Sequence, residues 1–254
     1  MKTAACFVAV CICCSAYNAE GQPQNKISNK GTVTVVFKNQ VINNPIVLYD
    51  SSYTNPFGEN YVINKFKYYI SAVTLYASGK AIKAKNIYRL INQAIDSSLY
   101  FNVSLPENDY DSIGFLLGVD SARNTAGAQT GALDPLNDMF WTWHTGYVME
   151  KLEGTSLQSS AVNNKMKYHP GGFSGENSVL KYITLPFPGN KKLKIQKGKK
   201  SRIVIEVDVN KFWDAGKEIK ISTVPVCTSP GRLAKQLAGN FSRLFTIAEV
   251  INAD

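Results

Sequence analysis

Hydrophobic and polar residues alternate with a period of two over much of the chain. Residues 201–209 show it most clearly: Ile203, Ile205, Val207 and Val209 fall on one face, Arg202, Glu206 and Asp208 on the other. A half-buried strand requires this pattern, because successive side chains point to opposite sides of a sheet. Residues 110–119 repeat it with Ile113, Phe115, Leu117 and Val119. Runs rich in β-branched and aromatic residues at 32–37 and 66–76, and shorter runs at 147–152, 165–169 and 179–185, also read as strands. Turn signals separate them at Asn44-Pro45, Asn55-Pro56 and Pro188-Gly189-Asn190, and Lys197-Gly198-Lys199 reads as a hairpin tip. Residues 125–137, with Gly127, Gly131 and Pro135, predict a long structured loop. After Pro230, Leu233, Leu237, Phe241, Leu244 and Phe245 recur at helical spacing, which predicts a helix over 231–245 despite Gly239. The fold class expected is therefore all-β, a two-sheet antiparallel β-sandwich with a short C-terminal helix.

The N-terminus changes what the mature chain contains. Met1 and Lys2 precede an uncharged apolar run over 4–16, with small residues at Ser15, Ala16 and Ala19 before Glu20. This is the order of a cleavable secretory signal. The run is shorter than the roughly 20 residues a membrane-spanning helix needs. Cys11, Cys13 and Cys14 raise a lipid-anchored alternative, but Val10, Ile12 and Cys13 stand before them where a small residue is usual. The expected organisation is a signal peptide at 1–19, a flexible leader at 20–30 and one β-sandwich domain at 31–250, exported to the periplasm or secreted. Cleavage leaves Cys227 as the only cysteine, which excludes an internal disulfide. No later apolar run predicts a transmembrane segment.

The chain is basic, with 28 Lys+Arg against 19 Asp+Glu. Much of the excess lies at Lys191, Lys192, Lys194, Lys197, Lys199, Lys200 and Arg202, without the interleaved aromatics of a nucleic-acid site. A solvated turn or a contact with an acidic surface fits better, and no nucleic-acid partner is expected. Phosphate-binding glycine loops, HExxH and the GxSxG elbow are absent, and Cys227, between Pro225 and Pro230, reads as a buried thiol. An enzyme is not expected. Chemistry-bearing side chains do concentrate at Met139-Phe140-Trp141-Thr142-Trp143-His144 and at Tyr168-His169-Pro170-Gly171-Gly172. His144 and His169, with thioether sulfur from Met139 or Met149, form a candidate site for a soft or borderline metal. Equally, the two histidines can be ordinary surface or core residues. Trp-x-Trp spacing puts Trp141 and Trp143 on one face of an extended segment and His144 on the other, so the tryptophan pair can also be core.

Gly118-Val119-Asp120-Ser121, Leu133-Asp134-Pro135-Leu136-Asn137, Met139-Phe140-Trp141-Thr142-Trp143 with Gly146-Tyr147, and Lys151-Leu152-Glu153-Gly154 together resemble the MbnP-like family of exported bacterial copper-binding proteins. The likeness runs from about Thr32 to Phe245, and His169 with Gly171-Gly172 is similar to the family's His-x-Gly element. The resemblance implies a copper site of histidines and a tryptophan oxidised to kynurenine by a di-haem enzyme related to cytochrome c peroxidases. It designates His169 as a ligand and Trp141 or Trp143 as the modified residue, with Asp134 and Pro135 holding the neighbouring loop. Where relatives carry Asn-His after the Gly-Val element, this chain has Asn124-Thr125, so one imidazole is missing, and His144 stands where many relatives have Gln or Asn. Two functions are thus carried forward: a copper-binding protein using His169 and His144, and a metal-free β-sandwich module that binds a protein or glycan through its aromatics.

Overall fold

Two β-sheets face each other across a single aromatic-rich core in a computed structural model that describes residues 29–85, 87–127, 129–142 and 146–253. The strands used below are β1 (Lys30–Val41), β2 (Asn60–Ala77), β3 (Lys80–Lys83), β4 (Tyr88–Asn92), β5 (Tyr100–Pro106), β6 (Ser112–Leu117), β7 (Phe140–Thr142), β8 (Gly146–Tyr147), β9 (Glu150–Thr155), β10 (Lys165–Tyr168), β11 (Lys181–Pro186), β12 (Lys200–Asp208), β13 (Val226–Cys227) and β14 (Phe245–Ile251). The helices are α1 (Ser121–Asn124) and α2 (Arg232–Phe241).

One sheet runs β14-β12-β1-β5, the other β11-β6-β2-β9-β10-β13. The alternation of residues 201–209 becomes burial: Ile203, Ile205, Val207 and Val209 are all inaccessible. Across the core Phe37 of β1 meets Tyr68 of β2 and Phe115 of β6 at ring-centroid distances of 5.9 and 6.3 Å. Phe245 of β14 closes edge-on to Tyr68 at 5.5 Å and to Phe115 at 5.4 Å. Edge-to-face packing suits the ring quadrupoles and locks the two layers in register. The spine of the second sheet is the 18-residue β2. It pairs with β9 along its first half and β6 along its second, with β4 and β3 on its other side. A bulge at Ala72, whose φ is 49°, shifts the register between Ser71 and Thr74 and lets so long a strand bend with the sheet.

The sandwich expected from the pattern is present, with three differences. The sheets are mixed, because β1 pairs parallel with β12 and β10 parallel with β13. The helix ends at Phe241, and Phe245 begins a strand antiparallel to β12. Leu244 and Phe245 are buried although they lie beyond the helix, so their helical spacing over-extended the expected helix. Finally, Lys197-Gly198-Lys199 is not a hairpin tip: the preceding strand Leu193–Ile195 pairs with Asn108–Tyr110. It has no place beside β12, whose two edges are filled by β1 and β14. The described residues of the 125–137 stretch form a loop punctuated by two single 3-10 turns, Gly131–Leu133 and Pro135–Asn137. Among the described residues no helix is long and apolar enough to cross a membrane.

Candidate functional site

On β9 the alternation sends Leu152 into the core and Lys151 and Glu153 to the opposite face. Cross-strand register places Lys151 beside Lys67 and Glu153 beside Lys65 on β2. On the other flank β10 ends at Tyr168, and the next residue, His169, is held to β13 by its amide, which donates to the Cys227 carbonyl at 2.8 Å. His169 Nε2 donates to Glu153 Oε1 at 2.7 Å, and only 7 % of the histidine is exposed. A ring of alternating charge thus forms on the outer face of the second sheet.

The 131–138 loop closes over this ring. Lys65 Nζ reaches Asp138 Oδ2 at 2.8 Å and Glu153 Oε2 at 3.4 Å. The buried Lys151 lies 3.0 Å from Asp138 Oδ1 and donates to the Asp138 carbonyl. Lys67 donates to the Asn137 carbonyl at 3.0 Å, and Tyr69 and Tyr147 donate through their hydroxyls to the carbonyls of Ala132 and Leu133. Asp134 Oδ1 accepts from the Leu136 amide at 2.9 Å and, with Pro135, starts the 3-10 turn. The hydrogen bond from His169 holds the Glu153 carboxyl down at about 2 against the opposing effect of burial, with Lys65 and Lys151 assisting. Burial would raise Asp138, but Lys65 and Lys151 outweigh it and bring it to about 2. Burial lowers Lys67, which among the described residues has no carboxylate within ion-pair distance, unlike Lys65 and Lys151.

Trp141 packs against Gly171, two residues beyond His169. Its six-membered ring occupies the space a Cβ on residue 171 would need, with Cζ3 only 2.5 Å from that position, so a glycine is required there. Residues 146–149 run alongside: Val148 bridges to Gly171, and the Met149 amide donates to the Pro170 carbonyl at 2.8 Å. Met139 is fully buried, its carbonyl accepting from the Val148 amide at 2.9 Å. Met149 is also buried, its Sδ 3.2 Å from the Val119 amide. Trp143 and His144 lie outside the described residues, and with them the expected pairing of the two tryptophans and of the two imidazoles. Asn124 ties two segments together, since its Oδ1 accepts from the Tyr147 amide at 2.9 Å and its Nδ2 donates to the Val119 carbonyl at 2.6 Å. Thr125 caps the same turn, donating to the Ser121 carbonyl.

The structure thus places Trp141 against Gly171, two residues from His169, and puts Met139 in the core. Sequence reasoning quoted Glu153 and Lys151 without a role and overlooked Lys65, Lys67 and Asp138. The signal was present in Lys65-Phe66-Lys67 and Lys151-Leu152-Glu153, two strands each with one apolar residue between two charges, but only the register joins them. Among the described residues no group of three or more His, Cys, Asp or Glu side chains converges to hold a metal ion.

The family model of MbnP matches residues 30–229. Among solved structures, MbnP from Methylosinus trichosporium superposes with a TM-score of 0.52 at 10% sequence identity, covering 76% of this chain and 80% of that one. This likeness establishes the fold. No curated protein is measurably similar to the chain in sequence.

Proposed function

The chain belongs to the MbnP family, and on that premise we propose that it is an exported copper-binding protein that acts by holding the metal rather than by catalysis. The observation that carries this reading is the His169–Glu153 pair. Ligating histidines almost always donate their second ring N–H to a carboxylate or carbonyl, which fixes tautomer and orientation. Here Glu153 Oε1 accepts a hydrogen bond from Nε2–H at 2.7 Å, which leaves Nδ1 of the neutral ring as the nitrogen with a lone pair. Glu153 is not itself a free donor, since Lys65 and Lys151 share its oxygens. The described donor set therefore fits one ligand and its orienting carboxylate, and His144 is the second imidazole the sequence offers. Bound copper would supply a soft, redox-capable cation; the chain's residues orient the imidazole, and Trp141 covers the neighbouring Gly171. Imidazole coordinates only when neutral, so affinity falls in acid. The half-buried Trp141 is the described candidate for oxidation by a di-haem peroxidase-like partner.

The test is intact-mass and metal analysis of the mature protein from its native compartment, followed by Cu(I) and Cu(II) titration under a competing chelator. A chain cleaved near residue 19 that carries copper, and that loses it in the His144→Ala, His169→Ala double variant, supports the reading. Unchanged binding in that variant rejects the site. A metal-free interaction module is the second reading, favoured by the lysines that neutralise Glu153 and by Thr125 in place of an imidazole. In that case the cluster is a clamp for the 131–138 loop, and protein from the native compartment carries no metal.

A further inference from the structure

Along one side of the sandwich the two sheets do not meet. Among the described residues, β3 pairs only with β2, and β5 only with β1, so each presents an unpaired backbone edge. A groove of about 400 Å³ lies between these edges, within the size range of small-molecule sites. Its floor is apolar: Ile82 and Ile87 are half-buried and Val103 is buried. Lys30, at the start of β1, and Lys83 and Lys85, at and just beyond the end of β3, line it as well. Among the described residues none of these three lysines is paired with a carboxylate. Lysines on edge strands discourage strand-to-strand association. That role accounts for Lys83 on β3, but β5 carries no lysine and Lys30 belongs to the paired β1, so it does not account for an apolar hollow lined by three lysines.

We propose that this groove binds a small amphiphilic anion, a carboxylate or phosphate carried on a hydrocarbon body. The hydrocarbon lies on Ile82, Ile87 and Val103, and the anionic head sits among Lys30, Lys83 and Lys85. The lysine stems add apolar surface while their ammonium groups stay in water beside the head. The anion supplies the negative charge that none of the described lining side chains supplies. The groove shares no lining residue with the His169 cluster, so its test is independent of the copper reading.

The experiment is calorimetric titration of the full mature chain with dodecanoate and dodecyl phosphate, each below its micellar concentration, beside dodecyltrimethylammonium and dodecyl maltoside at the same chain length. The expected result is saturable one-to-one binding of both anions, weakened by added salt, with little binding of the cationic and neutral amphiphiles. The exposed Lys30→Gln, Lys83→Gln, Lys85→Gln triple variant, which removes no buried contact, binds about tenfold more weakly. Ile82→Asn weakens binding of both anions equally. Equal affinity for the ammonium amphiphile or unchanged affinity in the triple variant overturns the proposal. So does binding seen only with phosphatidylglycerol vesicles, which would assign the basic surface to a membrane.

Discussion

Glu150 and Glu153 stand three residues apart on one strand and face opposite sides of the same sheet. Glu153 is met by His169, Lys65 and Lys151, and its carboxyl is held at about 2. Glu150 faces the core opposite Tyr68, fully buried, with neither oxygen hydrogen-bonded, and burial pushes its carboxyl well above the ordinary range against the weak pull of Lys181. Identical side chains thus take opposite ionisation behaviour because one face supplies partners and the other only hydrocarbon. The stability consequences have opposite signs. Glu153 contributes stability above its ordinary value of 4.5, and this is lost as pH falls through about 2. Glu150 favours the folded state only while protonated, so its contribution is full below 4.5 and is lost as pH rises through its raised folded value. Urea unfolding across pH should therefore show stability declining on both sides. Glu153→Gln should reduce the acid-side decline, to which Asp138 also contributes, and Glu150→Gln should reduce the decline at higher pH.

The contrast can be broken most strongly at Glu153. Glu153→Ala leaves His169 without its carboxylate and the 4 %-exposed Lys151 with Asp138 alone, and should cost about 3 kcal/mol in urea unfolding at neutral pH. A loss below about 1 kcal/mol would show that the ring of charge is loosely held. Glu150→Met should move the other way. It replaces an unsatisfied buried carboxyl with a thioether of similar volume and should stabilise the fold by about 2 kcal/mol near pH 8 and less at pH 4, within the range measured for buried polar groups. A destabilised Glu150→Met would point to a partner for that carboxyl. Gly171→Ala drives a methyl into the Trp141 ring. It should cost about 1–2 kcal/mol and shift tryptophan fluorescence, as overpacking does. Asp138→Asn is the smallest change. Its side chain is 53% exposed, so solvent screening leaves about 0.5 kcal/mol, diminishing as salt is added.

What was legible in the sequence follows from what is local. Strand β12 could be read residue by residue, because Ile203, Ile205 and Val207 carry their burial in their spacing. Its parallel pairing with β1 could not, since Thr32 and Lys200 meet across most of the chain and nothing local marks the pair. The end of α2 was misjudged for a related reason. Leu244 and Phe245 fit a helix stripe, yet the backbone of Phe245 is claimed by Val207 of β12. At the site, His169 was visible as a rare residue in a distinctive motif, whereas its partner was hidden. Glu153 lies 16 residues away, and only the β9–β10 register brings it to the imidazole. Glu150 was invisible for the opposite reason: a glutamate beside a lysine in a strand reads as solvent-facing, and only the fold turns it inward.

The central claim is that Glu153 presents His169 as a copper ligand. Competitive Cu(I) titration of the wild-type chain, His169→Ala and Glu153→Gln, with folding verified by circular dichroism, tests it most directly. The account predicts binding in the wild type, loss in His169→Ala, and about 10- to 100-fold weaker binding in Glu153→Gln, the range found when a partner of a ligating histidine is removed. Copper affinity unchanged in both variants would contradict it.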